Sequence, residues 1–106
     1  MVALHLPPMP VGHPTMDPIA LRDPSALGAV LGRRAAGTLV LCGHLHMPIV
    51  TTFAGHPLVV APGVASTLRS PEEPGDGPVR APSEPGLALH VLPPDGAALT
   101  AFRTAP

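Results

Sequence analysis

Three histidines carry the chemistry this chain could do. His44 and His46 stand in Leu39-Val40-Leu41-Cys42-Gly43-His44-Leu45-His46, an apolar run that closes in Gly-His-x-His, and His5 closes a shorter apolar run, Met1-Val2-Ala3-Leu4. Neutral imidazole is the commonest nitrogen ligand of zinc, iron and manganese, and residues i and i+2 on a bend can point at one metal ion or at two adjacent ones. Gly43 is expected to turn the chain there, having no side chain in the way. A bare His-x-His is a common pattern, so its weight depends on the elements that position it.

Those elements are short. Leu39 to Cys42 reads as a buried strand, and residues 1–5 read as a second one. Between them Leu6-Pro7-Pro8-Met9-Pro10-Val11-Gly12-His13-Pro14 cannot be regular structure, because proline removes donors and restricts the residue before it. Asp23 followed by Pro24 signals a helix start, and Leu27, Val30 and Leu31 form an apolar stripe. The pattern predicts a helix over residues 24–34, with Arg33 and Arg34 suited to its carboxyl end. Strand, helix and strand make a β-α-β unit with parallel strands and a right-handed crossover. Sites in such sheets gather beyond the carboxyl ends of the strands, which is where His5, His44 and His46 would converge.

Further along, residues 49–53 and 58–61 read as a hairpin about Ala54-Gly55-His56-Pro57, and residues 87–92 and 97–102 as another about Pro93-Pro94-Asp95-Gly96. Residues 62–85 read as loop, with residues 69–85 flexible. The expected fold class is α/β: one β-α-β unit followed by antiparallel hairpins.

Composition narrows the function. The chain has 106 residues, enough for one small domain, and its 17 prolines and 11 glycines imply short elements joined by long loops. The formal charge is −1, only 12% of residues are charged, and phenylalanine supplies the two aromatics, so a nucleic acid polymer is not an expected partner. A single cysteine allows no internal disulfide, which points to a cytoplasmic protein. Cys42, inside an apolar run, reads as a small buried hydrophobe. No stretch is long enough to span a membrane, so a membrane is not an expected partner either. The strand-like opening at Met1 suggests that further chain belongs upstream.

The residues taken together resemble the C-terminal half of the calcineurin-like metallophosphoesterases. The resemblance rests on Val2-Ala3-Leu4-His5-Leu6-Pro7-Pro8, then Leu41-Cys42-Gly43-His44-Leu45-His46-Met47-Pro48-Ile49, then a hairpin and Ala61-Pro62-Gly63-Val64-Ala65-Ser66-Thr67. It is nearest to the bacterial class III cyclic-nucleotide phosphodiesterases and their glycerophosphodiesterase relatives. It implies part of a four-layer α/β/β/α sandwich and a site for two divalent metal ions, manganese, iron or zinc, acting on a small phosphodiester substrate. Carried over residue by residue, His5 and His44 would share one metal and His46 would reach the other.

The chain departs from that family in what it lacks. The upstream Asp-x-His, Gly-Asp and Gly-Asn-His of the family supply carboxylates and a histidine near the leaving group. Here Asp17, Asp23, Asp76 and Asp95 stand in other contexts. Two ions on three neutral histidines would keep their full charge, so a fragment inactive by itself is expected, with no catalytic residue of its own and a missing N-terminal half or a second copy as partner. Leu6 replaces the second histidine of the usual His-His-Pro-Pro, and Met47 stands where many members have arginine. The alternative is a non-catalytic metal-binding or interaction module that keeps the three histidines. Of the other histidines, His13 is the candidate substrate contact, while His56 reads as a turn residue and His90 as structural. Met9 and Met16 are expected to pack.

Overall fold

The computed structural model describes residues 1–80 and 83–105. Among these residues it is a mixed α/β fold with one α-helix and ten short elements in all, measuring 42 × 33 × 19 Å. At roughly 10 Å per packed layer, the thin dimension holds two layers.

The β-α-β unit forms as its residues predict. β1 (Val2–Ala3) lies parallel to β2 (Val40–Cys42), with Val2 opposite Val40, and α1 (Pro24–Leu31) connects them. Asp23 caps α1 by accepting from the Ala26 amide and the Ser25 hydroxyl. The bond from Ser25, then that from Ala26, holds its carboxyl below the usual range. The helix ends at Leu31, earlier than the expected residue 34. Beyond it the chain tightens into i→i+3 turns, Arg33 N–H to the Val30 carbonyl at 3.2 Å and Arg34 N–H to that of Leu31 at 2.8 Å. Arg33 and Arg34 therefore lie past the last helical turn.

The hairpin that follows is joined to this unit rather than separate from it. β3 (Ile49–Phe53) and β4 (His56–Val60) pair antiparallel, and β4 also lies parallel to β2, giving the sheet order β1-β2-β4-β3. Their turn is two residues, Ala54 at φ 50° and Gly55 at φ 79°, in place of the expected four. This is the left-handed pair of a type I′ turn, whose twist suits a hairpin. Pro57 sits inside β4 without penalty for a simple reason. Phe53 and His56 close the turn as the bonded pair, so Thr52 and Pro57 form the next, non-bonded one, and β2 begins only opposite Leu58.

His56 is not a turn residue. It opens β4 at 5% exposure, and its Nε2 donates at 2.9 Å to the carbonyl of Leu31 at the end of α1, which also accepts from Arg34 N–H. One face of the sheet, Val40, Cys42, Leu58 and Val60, packs with Leu31, Leu45 and Met16 into the core, joined by partly buried Leu4, Leu27 and Phe53.

Two ribbons complete the chain. β5 (Thr67–Leu68) pairs with β6 (Val79–Arg80) inside the stretch read as loop. Arg69 draws the intervening segment together by donating to the carbonyls of Pro74 and Gly77. β7 (Gly86–Val91) pairs with β8 (Leu99–Thr104), Val91 opposite Leu99, so the connection is longer than the expected Pro-Pro-Asp-Gly turn. Thr100 and Phe102 of β8 share a cleft with Leu39, Val50, Pro57 and Val59 from the other face of the sheet. The expected flexibility of residues 69–85 includes residues 81 and 82, which lie outside the described residues. Among the described residues no helix is long and apolar enough to cross a membrane.

Candidate metal centre

The parallel pairing of β1 and β2 brings His5 to His44. The ladder runs past the strands themselves: Leu4 N–H donates to the Leu41 carbonyl at 2.9 Å, and Gly43 N–H to the His5 carbonyl at 3.1 Å. Both histidines leave the same edge of the sheet, and the Nε2 of His5 stands 3.2 Å from the Nδ1 of His44 with the rings edge to face.

The turn is made by the histidines rather than by Gly43. His44 has φ 69° and sits at the centre of a three-residue turn closed by Leu45 N–H to the Gly43 carbonyl at 2.8 Å. That φ belongs to the rare, strained form of the γ-turn. His46 follows at φ 52°, and a non-glycine residue held left-handed costs on the order of 1–2 kcal/mol. Two of the three such residues described are therefore these histidines. What holds them there is Leu45, 1% exposed in the core between them.

His46 is held apart from the pair. Its Nδ1 lies 2.9 Å from the Ser66 hydroxyl, and the Thr67 hydroxyl donates to its carbonyl at 2.7 Å. Behind it Gly63 approaches so closely that a Cβ there would fall 2.9 Å from the His46 side chain and 2.1 Å from the Ser66 carbonyl. Gly63, Ser66 and Thr67 lie in the segment that carried part of the family resemblance, but nothing in residue type or spacing marked them individually.

His13 lies elsewhere in the proline-rich loop. It is 2% exposed, and its Nδ1 accepts from the amides of Thr15 and Met16, which leaves the proton on Nε2. Asp17 pins the same loop by accepting from the amides of Val11 and Gly12 at 2.8 and 2.9 Å, and Pro7 and Pro8 are fully buried. A cleft beside His13 is lined by Arg69, Ser70 and Glu73.

The donor set fits an ion in part. Two nitrogens each about 2.0–2.1 Å from one zinc ion are about 3.0 Å apart at a right angle and about 3.4 Å apart at the tetrahedral angle. The observed 3.2 Å separation of the His5 and His44 nitrogens falls between them. An ion on the Nδ1 of His44 would leave its Nε2, which is buried without a hydrogen-bond partner, unsatisfied. Burial, and then repulsion by His5 and His46, holds the His44 imidazole below its ordinary pKa, so it favours the neutral form that can ligate. Among the described residues, however, no three His, Cys, Asp or Glu side chains form a group that could hold a metal ion.

The chain is 36% identical over 96 residues to a "probable cyclic nucleotide phosphodiesterase" of Synechococcus sp. strain WH7803, covering 91% of this chain and 36% of that protein. It is 40% identical over 67 residues both to a "probable cyclic nucleotide phosphodiesterase" of Rhodococcus erythropolis and to a "cAMP/cGMP dual specificity phosphodiesterase" of Mycobacterium tuberculosis, covering 63% of this chain and 22% and 21% of those proteins. The chain thus spans about a third or less of the length of these relatives. No family model matches it.

Proposed function

We propose that this chain is the C-terminal portion of a metal-dependent phosphodiesterase, built as part of a four-layer α/β/β/α sandwich and acting, when complete, on a small phosphodiester. The 3.2 Å approach of His5 and His44 carries the reading. These two residues would hold one divalent ion, manganese, iron or zinc, and His46 would offer its free nitrogen to a second. Bound ions supply Lewis acidity and a hydroxide nucleophile at neutral pH. The protein's own part is to fix the histidines, with Leu45 anchoring the turn in the core. His13, which lines a cleft with Arg69, is the proposed substrate contact.

Among the described residues no carboxylate joins His5 and His44 in a group that could hold a metal, so the ions would lack the anionic ligands that balance their charge. The whole site therefore needs residues from another chain segment, and the relatives' names make a cyclic nucleotide the leading substrate class. The intact protein is proposed to be cytoplasmic.

The experiment is a manganese or zinc titration of the 106-residue chain with an assay of bis-p-nitrophenyl phosphate hydrolysis. Metal binding lost on His5→Ala or His44→Ala, with no turnover, is expected. Robust hydrolysis by the chain alone, abolished by His44→Ala, would contradict the incomplete site. A folded chain that binds no metal would leave a hydrogen-bonded histidine pair and, of the alternative, only the interaction module.

A further inference from the structure

We infer that Ser66 is the positioning residue of His46, accepting a hydrogen bond from its Nδ1–H so that Nε2 is left unprotonated and able to ligate. This rests on the reading that His46 is a metal ligand, and it concerns residues that neither residue type nor spacing singled out.

Three observations hold His46 in one place. The Ser66 hydroxyl lies 2.9 Å from Nδ1, the Thr67 hydroxyl takes the His46 carbonyl at 2.7 Å, and Gly63 leaves no room for the ring to fall back. The last is a matter of size, since a Cβ on Gly63 would sit 2.9 Å from both Cβ and Cγ of His46. The backbone is held just as firmly, because φ 52° at a residue with a branched ring is retained only where the surroundings over-determine it. A peptide left to itself would relax.

A neutral imidazole has one N–H, and the partner of one nitrogen decides which. A histidine that ligates through one nitrogen as a rule donates its other N–H to a fixed acceptor, which sets the tautomer and ring angle before the ligand arrives. Ser66 is placed to be that acceptor. Its own proton then remains free for solvent, and no charge is needed to fix the ring.

The test is the imidazole tautomer of His46 in the uniformly ¹⁵N-labelled, metal-free chain at pH 8, read from long-range ¹H–¹⁵N correlations. A pyrrole-type Nδ1 and a pyridine-type Nε2 are expected for His46. In Ser66→Ala the pattern should reverse to the Nε2–H form that dominates in free histidine, and Ser66→Thr should restore it. A wild-type His46 protonated on Nε2 would overturn the proposal, as would an unchanged tautomer in Ser66→Ala. If Ser66→Ala fails to fold, the wild-type spectrum alone decides. A parallel zinc titration separates the two readings: the expected tautomer without zinc binding refutes the metal centre and leaves the latch, whereas zinc bound through His5 and His44 with the opposite tautomer refutes the latch alone.

Discussion

The Nε2 of His5 and the Nδ1 of His44 face each other at 3.2 Å although 39 residues separate them in the chain. The relationship is a consequence of register. Val2 stands opposite Val40 and Ala3 opposite Leu41, so each strand runs out at its histidine on the same edge. A slip of one residue would put every side chain of β1 on the other face and part the pair.

Gly63 is the position where the site tolerates least. Gly63→Ala should push His46 off Ser66, because its Cβ would meet the Ser66 carbonyl at 2.1 Å. The expected outcome is loss of the His46–Ser66 interaction with the sheet preserved. Imidazole and amide chemical shifts of the variant would check it, and an unshifted His46 would contradict the close approach.

Gly28 shows the opposite case. A Cβ there would meet Phe53 Cζ at 3.7 Å and Ala54 Cβ at 3.8 Å, which is ordinary contact. Gly28→Ala should therefore stabilise the protein by about 0.5–1 kcal/mol through helix propensity. Urea unfolding would register this as a higher midpoint at unchanged slope.

Cys42 is 5% exposed, and burial pushes its thiol up to about 11. At pH 8 almost none of it is thiolate, the form that reacts. Iodoacetamide should leave the folded chain unmodified and label it rapidly in denaturant. Fast labelling of the native chain at pH 8 would contradict the buried β2 core.

Much of this was legible beforehand because it is local. Asp23-Pro24 announces a helix start through cap chemistry, and the capping bond is present. Two apolar runs about a helix imply parallel neighbours, and β1 and β2 are parallel. The insertion of β4 beside β2 is a pairing between distant segments that no window of sequence encodes. Pro57 misled in the turn because a proline usually breaks a strand, whereas here its missing N–H falls at a non-bonded position. The helix stops at Leu31, where the chain tightens into i→i+3 turns and His56, remote in sequence, also donates to the Leu31 carbonyl.

The site divides the same way. Gly-His-x-His at a strand end marked His44 and His46, and the neighbouring strand marked His5. The strain at φ 69° and 52° was not visible, since Gly43 was the residue expected to turn. Ser66 was equally silent: a serine twenty residues after a histidine has no signature until the fold closes the distance.

Ala54 holds a left-handed position that asparagine and glycine prefer. Ala54→Asn should raise stability by about 0.5 kcal/mol, a fraction of the roughly 1–2 kcal/mol that a left-handed residue costs and that asparagine tolerates better. Thermal unfolding of the two proteins in parallel would check the sign, and a lower midpoint for the variant would contradict the type I′ turn.

The most direct measurement is cobalt(II) binding to the 106-residue chain, followed by its visible absorption. Because His5 and His44 are placed to share one ion, His5→Ala and His44→Ala should each weaken binding at least tenfold, about 1.4 kcal/mol. His90→Ala, whose imidazole bonds Thr100 within the β7–β8 ribbon, should bind as the wild type does. Equal affinity in the wild type, His5→Ala and His44→Ala, or no binding by the folded wild type, would contradict a metal centre at this edge of the sheet.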